Sequence, residues 1–159
     1  MTVSAGNGNV VSVVVVRVEP FRSTIVPLAA NDCPPVPGLR DFEATSPPDT
    51  RTYRDVDFRV VEGSTAHTVT KIGAYCHQDY NLRHGVPNKT DLELMKNYAE
   101  ALPAAGFRIT NTDRNDDQTI DATMSKDGVE TWVRVWPGNG NGVHITVLTI
   151  EPFLSLIHI

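Results

Sequence analysis

The chain has 159 residues, enough for one domain with its own core, and its 40% apolar and 21% charged residues mark a folded protein rather than a disordered one. Lys plus Arg total 14 against 19 Asp plus Glu, a net charge of −5 with no basic block, which argues against nucleic acid and anionic membrane surfaces as partners. No apolar run reaches the roughly 18 residues that a membrane-spanning helix needs.

The first apolar run is Asn9 to Val16, N-V-V-S-V-V-V-V, and Leu28-Ala29-Ala30 follows it. Together they have the outline of a secretory signal, but no positive charge lies between Met1 and Asn9. Comparing the chain with itself explains the run better. Gly6 to Phe21, G-N-G-N-V-V-S-V-V-V-V-R-V-E-P-F, aligns without gaps to Gly138 to Phe153, G-N-G-N-G-V-H-I-T-V-L-T-I-E-P-F, at an offset of 132. Nine of the sixteen positions are identical: Gly6, Asn7, Gly8, Asn9, Val11, Val15, Glu19, Pro20 and Phe21 with their counterparts. Val13 against Ile145, Val16 against Leu148 and Val18 against Ile150 are conservative, and Val3 also matches Val135. Residues 1–21 are therefore expected to be the last strand of a preceding repeat. A period of 132 residues is too long for a solenoid unit and implies whole domains in tandem.

Residues 22–51 are expected to be a Pro-rich linker. Pro27, Pro34, Pro35, Pro37, Pro47 and Pro48 interrupt a segment without periodicity. Proline fixes φ and removes donors, so this stretch should be extended and semi-rigid, with part of it able to drape over the domain.

Residues 52–153 are expected to form the domain. Val56, Phe58 and Val60 alternate with Asp55, Asp57 and Arg59, as in a half-buried strand. Glu62-Gly63-Ser64 is a turn, and His67 to Gln78 is a second strand whose imperfect alternation predicts a bulge near Gly73. Asn81 to Asn88 is a polar loop. Thr90-x-x-Glu93 is a capping box that starts a helix at Asp91. Leu92, Met95, Ala99 and Leu102 give that helix an apolar stripe, widened by Tyr98. Pro103 disturbs the last turn and Gly106 suits the left-handed position that ends it. Four strands follow: Phe107 to Thr112, Thr119 to Ser125, Val129 to Trp136 after the turn Lys126-Asp127-Gly128, and Val143 to Ile150 after a glycine-asparagine loop. The order ββαββββ predicts an α+β fold, an antiparallel sheet with one helix packed on one face.

Residues 154–159, L-S-L-I-H-I, are what CTG-TCT-CTT-ATA-CAC-ATC encodes, which resembles a transposon mosaic end used as a library adapter. They also depart from R-S-T-I-V-P, which follows Phe21, so an adapter-derived tail is the expectation.

The runs D-F-R-V-V-E-G, K-I-G-A-Y, L-E-L-M-K-N-Y-A-E-A-L-P-A-A-G-F, S-K-D-G-V-E-T-W-V-R-V and G-V-H-I-T-V-L-T-I-E resemble the periplasmic domain that precedes the peptidoglycan-binding domain in certain OmpA-type outer-membrane proteins. Asn97, Tyr98, Ala101, Leu102, Ala105, Gly106, Gly128, Trp132, Val133 and Glu151 carry the likeness between about Asp55 and Glu151. Pro103, the loop Cys76 to Gly85 and the duplication depart from it, and the peptidoglycan-contacting domain is not among these residues. The resemblance implies a non-catalytic module of the cell envelope, in the periplasm or at the outer membrane, which spaces or contacts envelope proteins or cell-wall components. It implies no cofactor.

Other chemistries have weaker support. His67, His77, Asp79 and His84 lie near one another in sequence, and His77 and Asp79 would share a strand face, but there is no H-E-x-x-H or C-x-x-C pattern. They read as solvated polar residues, and no metal is assigned. Cys33 and Cys76 either form a disulfide that ties the linker to the second strand or remain separate thiols. Cysteine catalysis is disfavoured, because Cys76 and His77 are adjacent on a strand and point to opposite faces. Trp132 and Trp136, four apart and roughly 13 Å along a strand, share a face and are the candidate binding residues of an alternative, an extracellular glycan- or protein-binding repeat. Glu130, Asp116, Asp117 and Asp121 read as turn and surface residues. The G-N-G-N segments join strands rather than open a helix, so they lack a phosphate site. A small metal-dependent or cysteine hydrolase around His77 is the remaining alternative.

Overall fold

The computed structural model describes residues 2–5, 11–113 and 118–152. The expected tail at 154–159, Asp116 and Asp117 lie outside them. The elements in chain order are β1 (Thr2–Ala5), β2 (Val11–Val14), β3 (Phe42–Ala44), β4 (Asp49–Glu62), β5 (Thr65–Leu82), α1 (Asp91–Ala104), β6 (Arg108–Thr112), β7 (Ile120–Lys126), β8 (Val129–Pro137) and β9 (Gly142–Ile150). Among the described residues β1 and β2 pair only with each other; the rest form one antiparallel sheet in the order β3-β5-β9-β8-β7-β6, with β4 also on β5. The fold is α+β. The order ββαββββ is corrected in one respect: β3, inside the Pro-rich segment, precedes the predicted elements of this sheet.

The helix starts where its capping sequence places it. Thr90 is the N-cap, and its hydroxyl accepts from the Glu93 amide at 3.1 Å. After Pro103 in the last turn, Gly106 adopts φ 96°, which a side chain would resist. The apolar face is rotated from the predicted stripe. Leu94, Met95, Tyr98 and Leu102 are buried, whereas Leu92 is 67% exposed. Buried Asn97 accounts for the rotation: its Oδ1 accepts from the Thr24 amide at 2.8 Å and its Nδ2 donates to Glu93 O. The helix is thus covered by the sheet on one side and by the Pro-rich segment on another. A hydrophobicity pattern assigns Asn97 to solvent and misses that second contact.

That segment is not a free linker, and residue 52 does not mark where the fold begins. Cys33, Val36, Leu39 and Phe42 are all core residues beside the helix. Burying Val36, Leu39 and Phe42 contributes about 1.5–3 kcal/mol each. The segment also meets its polar needs, within itself and against β5 and the helix. Ile25 bridges Leu39, Gln78 Nε2 donates to Asn31 O and Ser46 O, the Tyr80 hydroxyl donates to Asp32 at 2.6 Å, and the Tyr98 hydroxyl donates to Pro37 O.

The sheet's two faces follow strand alternation. Ile120, Ala122, Val133, Val135, Val143, Ile145 and Val147 face the helix and are buried. The opposite face is not left open, as a two-layer reading expects. The long β4–β5 hairpin extends past β9, and Phe58 and Val60 cover Trp132 and Leu148 in a second small core. The hairpin is tied across the sheet: the Arg59 amide donates to Asp121 at 3.0 Å, and the Thr110 hydroxyl donates to Arg59 O. A β-bulge lies at the predicted level, but its extra residue is in β4 between Arg51 and Arg54, opposite Ala74 rather than in β5. Gly73 itself is required by close approach, since a Cβ there would collide with the Thr149 carbonyl oxygen.

Candidate functional site

Beyond the small second core, the non-helix face carries an ordered set of polar and aromatic side chains. Alternation sends Tyr75, His77 and Asp79 of β5, Leu148, Thr146 and His144 of β9, and Trp132, Arg134 and Trp136 of β8 to this face. The registers Tyr75↔Leu148, His77↔Thr146 and Asp79↔His144, with Trp132↔Leu148, Arg134↔Thr146 and Trp136↔His144, align them in three rows.

The last two rows converge on one carboxylate oxygen. Asp79 Oδ1 lies 2.6 Å from His144 Nδ1 and 2.9 Å from His77 Nε2. His77 Nδ1 lies 2.9 Å from the Thr146 hydroxyl. The Trp136 ring lies nearly parallel to both imidazoles, with centroids 5.5 Å from His77 and 5.1 Å from His144. Tyr75 continues the stacking on His77, and the Arg54 guanidinium lies 4.4 Å over the Tyr75 ring. Partial burial raises the Asp79 carboxyl, but hydrogen bonding and charge from His144 and His77 outweigh it, so its pKa falls below the ordinary 3.8. The side chains of His77, Asp79 and His144 are 21%, 45% and 31% exposed, so the group is both held and reachable.

The predicted residues divide accordingly. His77 and Asp79 do share a face. His67 and His84 are exposed and do not join them; His144, from a strand distant in sequence, does. Trp132 and Trp136 share a face too, but Trp132 is 5% exposed, packed on Phe58 at 5.1 Å, and its indole N–H donates to Glu130. It cannot present a ring to a ligand, so no two-tryptophan platform exists. Trp136 is half-buried and borders a cavity of about 540 Å³ lined also by Arg59, Asp91, Asp121, Arg134 and Asn139.

Cys33 and Cys76 are joined in a disulfide. Cys76 faces the helix-side core while His77 faces away, so no thiol–imidazole pair forms. Asp121 corrects the expectation of a surface role. It is 0% exposed and receives Arg134 Nε at 2.7 Å and Nη2 at 3.0 Å besides the Arg59 amide. Glu130 pairs with Lys71 at 2.9 Å, which chiefly holds its carboxyl below the usual range. No helix among the described residues is long and apolar enough to cross a membrane. No protein-family model matches the chain, and no curated protein or solved structure is significantly similar to it.

Proposed function

We propose that this chain is a non-catalytic module of the cell envelope, of the OmpA-associated periplasmic kind, repeated in tandem and serving to space or contact envelope proteins or cell-wall components. The envelope role rests on the sequence resemblance, and the tandem arrangement is carried by the N-terminal hairpin. β1 and β2 pair as Thr2↔Val14, Val3↔Val13, Ser4↔Ser12 and Ala5↔Val11. β8 and β9 pair as Arg134↔Thr146, Val135↔Ile145, Trp136↔His144 and Pro137↔Val143, which is the same register displaced by the 132 residues of the sequence repeat. The two hairpins differ in cover. Val13 and Val14 are 52% and 54% exposed, whereas their counterparts Ile145 and Thr146 are 0% and 5% exposed. Such a hairpin has the pattern of a core element without the sheet and helix that would bury it, as expected for the end of a preceding copy. The Cys33–Cys76 bridge supports a position outside the reducing cytoplasm.

Deleting residues 1–21 tests the tandem arrangement. The expected result is an unchanged unfolding midpoint and weaker self-association in sedimentation velocity; loss of folding would overturn it. A second reading, a glycan- or protein-binding repeat, has Trp136 at the rim of its cavity in its favour. It requires glycan-array or partner binding that Trp136→Ala abolishes.

A further inference from the structure

His77, Asp79 and His144, on two adjacent strands, each offer one ligand atom within 4.8 Å of the others, and Asp79 Oδ1 meets His77 Nε2 and His144 Nδ1 directly. We infer that these three atoms form a binding site for a late first-row divalent ion, Zn²⁺ or Cu²⁺, open to solvent at its remaining position. Two imidazoles and one carboxylate form a donor set that such ions prefer to hard Mg²⁺ or Ca²⁺.

The distances fit with a small adjustment. Ligands about 2.1 Å from a tetrahedral ion stand about 3.4 Å apart. Asp79 Oδ1 is now 2.6 and 2.9 Å from the two nitrogens. The carboxylate, 45% exposed, must therefore withdraw by about 0.8 Å from the His144 nitrogen and about 0.5 Å from the His77 nitrogen. The ring planes are already held. Trp136 stacks on both, and His77 Nδ1 meets the Thr146 hydroxyl. That outer contact leaves Nε2 as the coordinating nitrogen once the proton sits on Nδ1. The Cys33–Cys76 bridge fixes β5 one residue from His77. Coordination replaces the two ring-to-carboxylate hydrogen bonds, and each neutral imidazole then keeps its one proton on the nitrogen turned away from the ion, Nδ1 of His77 and Nε2 of His144.

The test titrates the oxidised full chain with ZnCl₂, CuCl₂ and MgCl₂ separately, by calorimetry and by thermal unfolding. One-to-one binding of Zn²⁺ or Cu²⁺ with a raised Tm is expected, and none with Mg²⁺. His144→Ser and Asp79→Asn should each weaken binding at least tenfold. Serine already occupies the equivalent position in the N-terminal copy, at Ser12, so a strand of this pattern accommodates it. Thr146→Val should weaken binding about tenfold through loss of the outer contact, while a His67→Ala/His84→Ala chain should bind as the parent does. Circular dichroism checks each fold; should His144→Ser unfold, Asp79→Asn, nearly isosteric, carries the comparison. Absence of saturable binding up to about 1 mM of either ion overturns the site. Binding retained within twofold in both His144→Ser and Asp79→Asn, or lost in the His67→Ala/His84→Ala chain, overturns it equally.

Discussion

Reducing the Cys33–Cys76 bridge should cost this domain a large share of its stability. The bridge spans a sequence separation of 43 and joins the Pro-rich segment to the middle of β5. Cross-linking removes loop entropy from the unfolded chain by about 2.1 + 1.5R ln n cal/mol/K, which for this loop is about 13 cal/mol/K, or about 4 kcal/mol at 25 °C. Native domains of this size are stable by only about 5–15 kcal/mol, so a loss of that order shifts the unfolding midpoint plainly. The folded side adds a local effect. Cys33 is fully buried among Val36, Leu39, Tyr80 and the helix, and between residues 22 and 48 the segment has short strand pairing only at β3 and the Ile25–Leu39 and Cys33–Val36 bridges. Once reduced, residues around 25–39 should open before the sheet does, because beside the side-chain bonds from Gln78, Tyr80 and Tyr98 few backbone pairings hold them. The assay is urea unfolding of the oxidised and dithiothreitol-reduced chain, followed by tryptophan fluorescence. Hydrogen exchange at the Val36 and Arg40 amides, which donate to Cys33 O and Thr24 O, reports the local opening. A reduced chain with a midpoint within about 0.5 kcal/mol of the oxidised one would refute the reasoning, given the magnitude expected for a loop this long. So would a Cys33→Ala/Cys76→Ala chain as stable as the oxidised parent.

Two further outcomes are expected. Asp121→Asn should cost about 3 kcal/mol, the low end for breaking a buried pair because Arg134 is 29% exposed, and Asp121→Asn/Arg134→Met should recover part of it; equal losses in single and double variants would show that the pair is not the cause. Burial, reinforced by the Asp32 carboxylate, pushes the Tyr80 and Tyr98 phenols far above their ordinary 10.0. Above pH 10 the unfolded chain releases protons that the folded chain keeps, so this stability is complete below pH 10 and falls as pH rises, by up to about 1.4 kcal/mol per pH unit per phenol. Urea midpoints at pH 9 and 11 should therefore differ, and Tyr98→Phe should lessen the difference; equal midpoints would contradict it.

The sequence by itself determined the elements and much of their facing. Alternation placed Phe58 and Val60 together, put Trp132 and Trp136 on one face, and separated Cys76 from His77, because a strand's period of two needs no tertiary information. Thr90, Glu93 and Gly106 marked the helix ends through local backbone chemistry. Comparison of residues 6–21 with 138–153 showed their likeness before the matching registers of the two hairpins were known. Tertiary structure decided what depends on partners distant in the chain. Asn97 is buried because the Pro-rich segment crosses the helix, and Asp121 is buried because the β4–β5 hairpin curls over β7. The His77–Asp79–His144 group depends on the register of β5 against β9, and a shift of one residue would send His144 to the helix side. Alternation states which face a residue takes, but only the long-range pairing of strands states which residue it meets there.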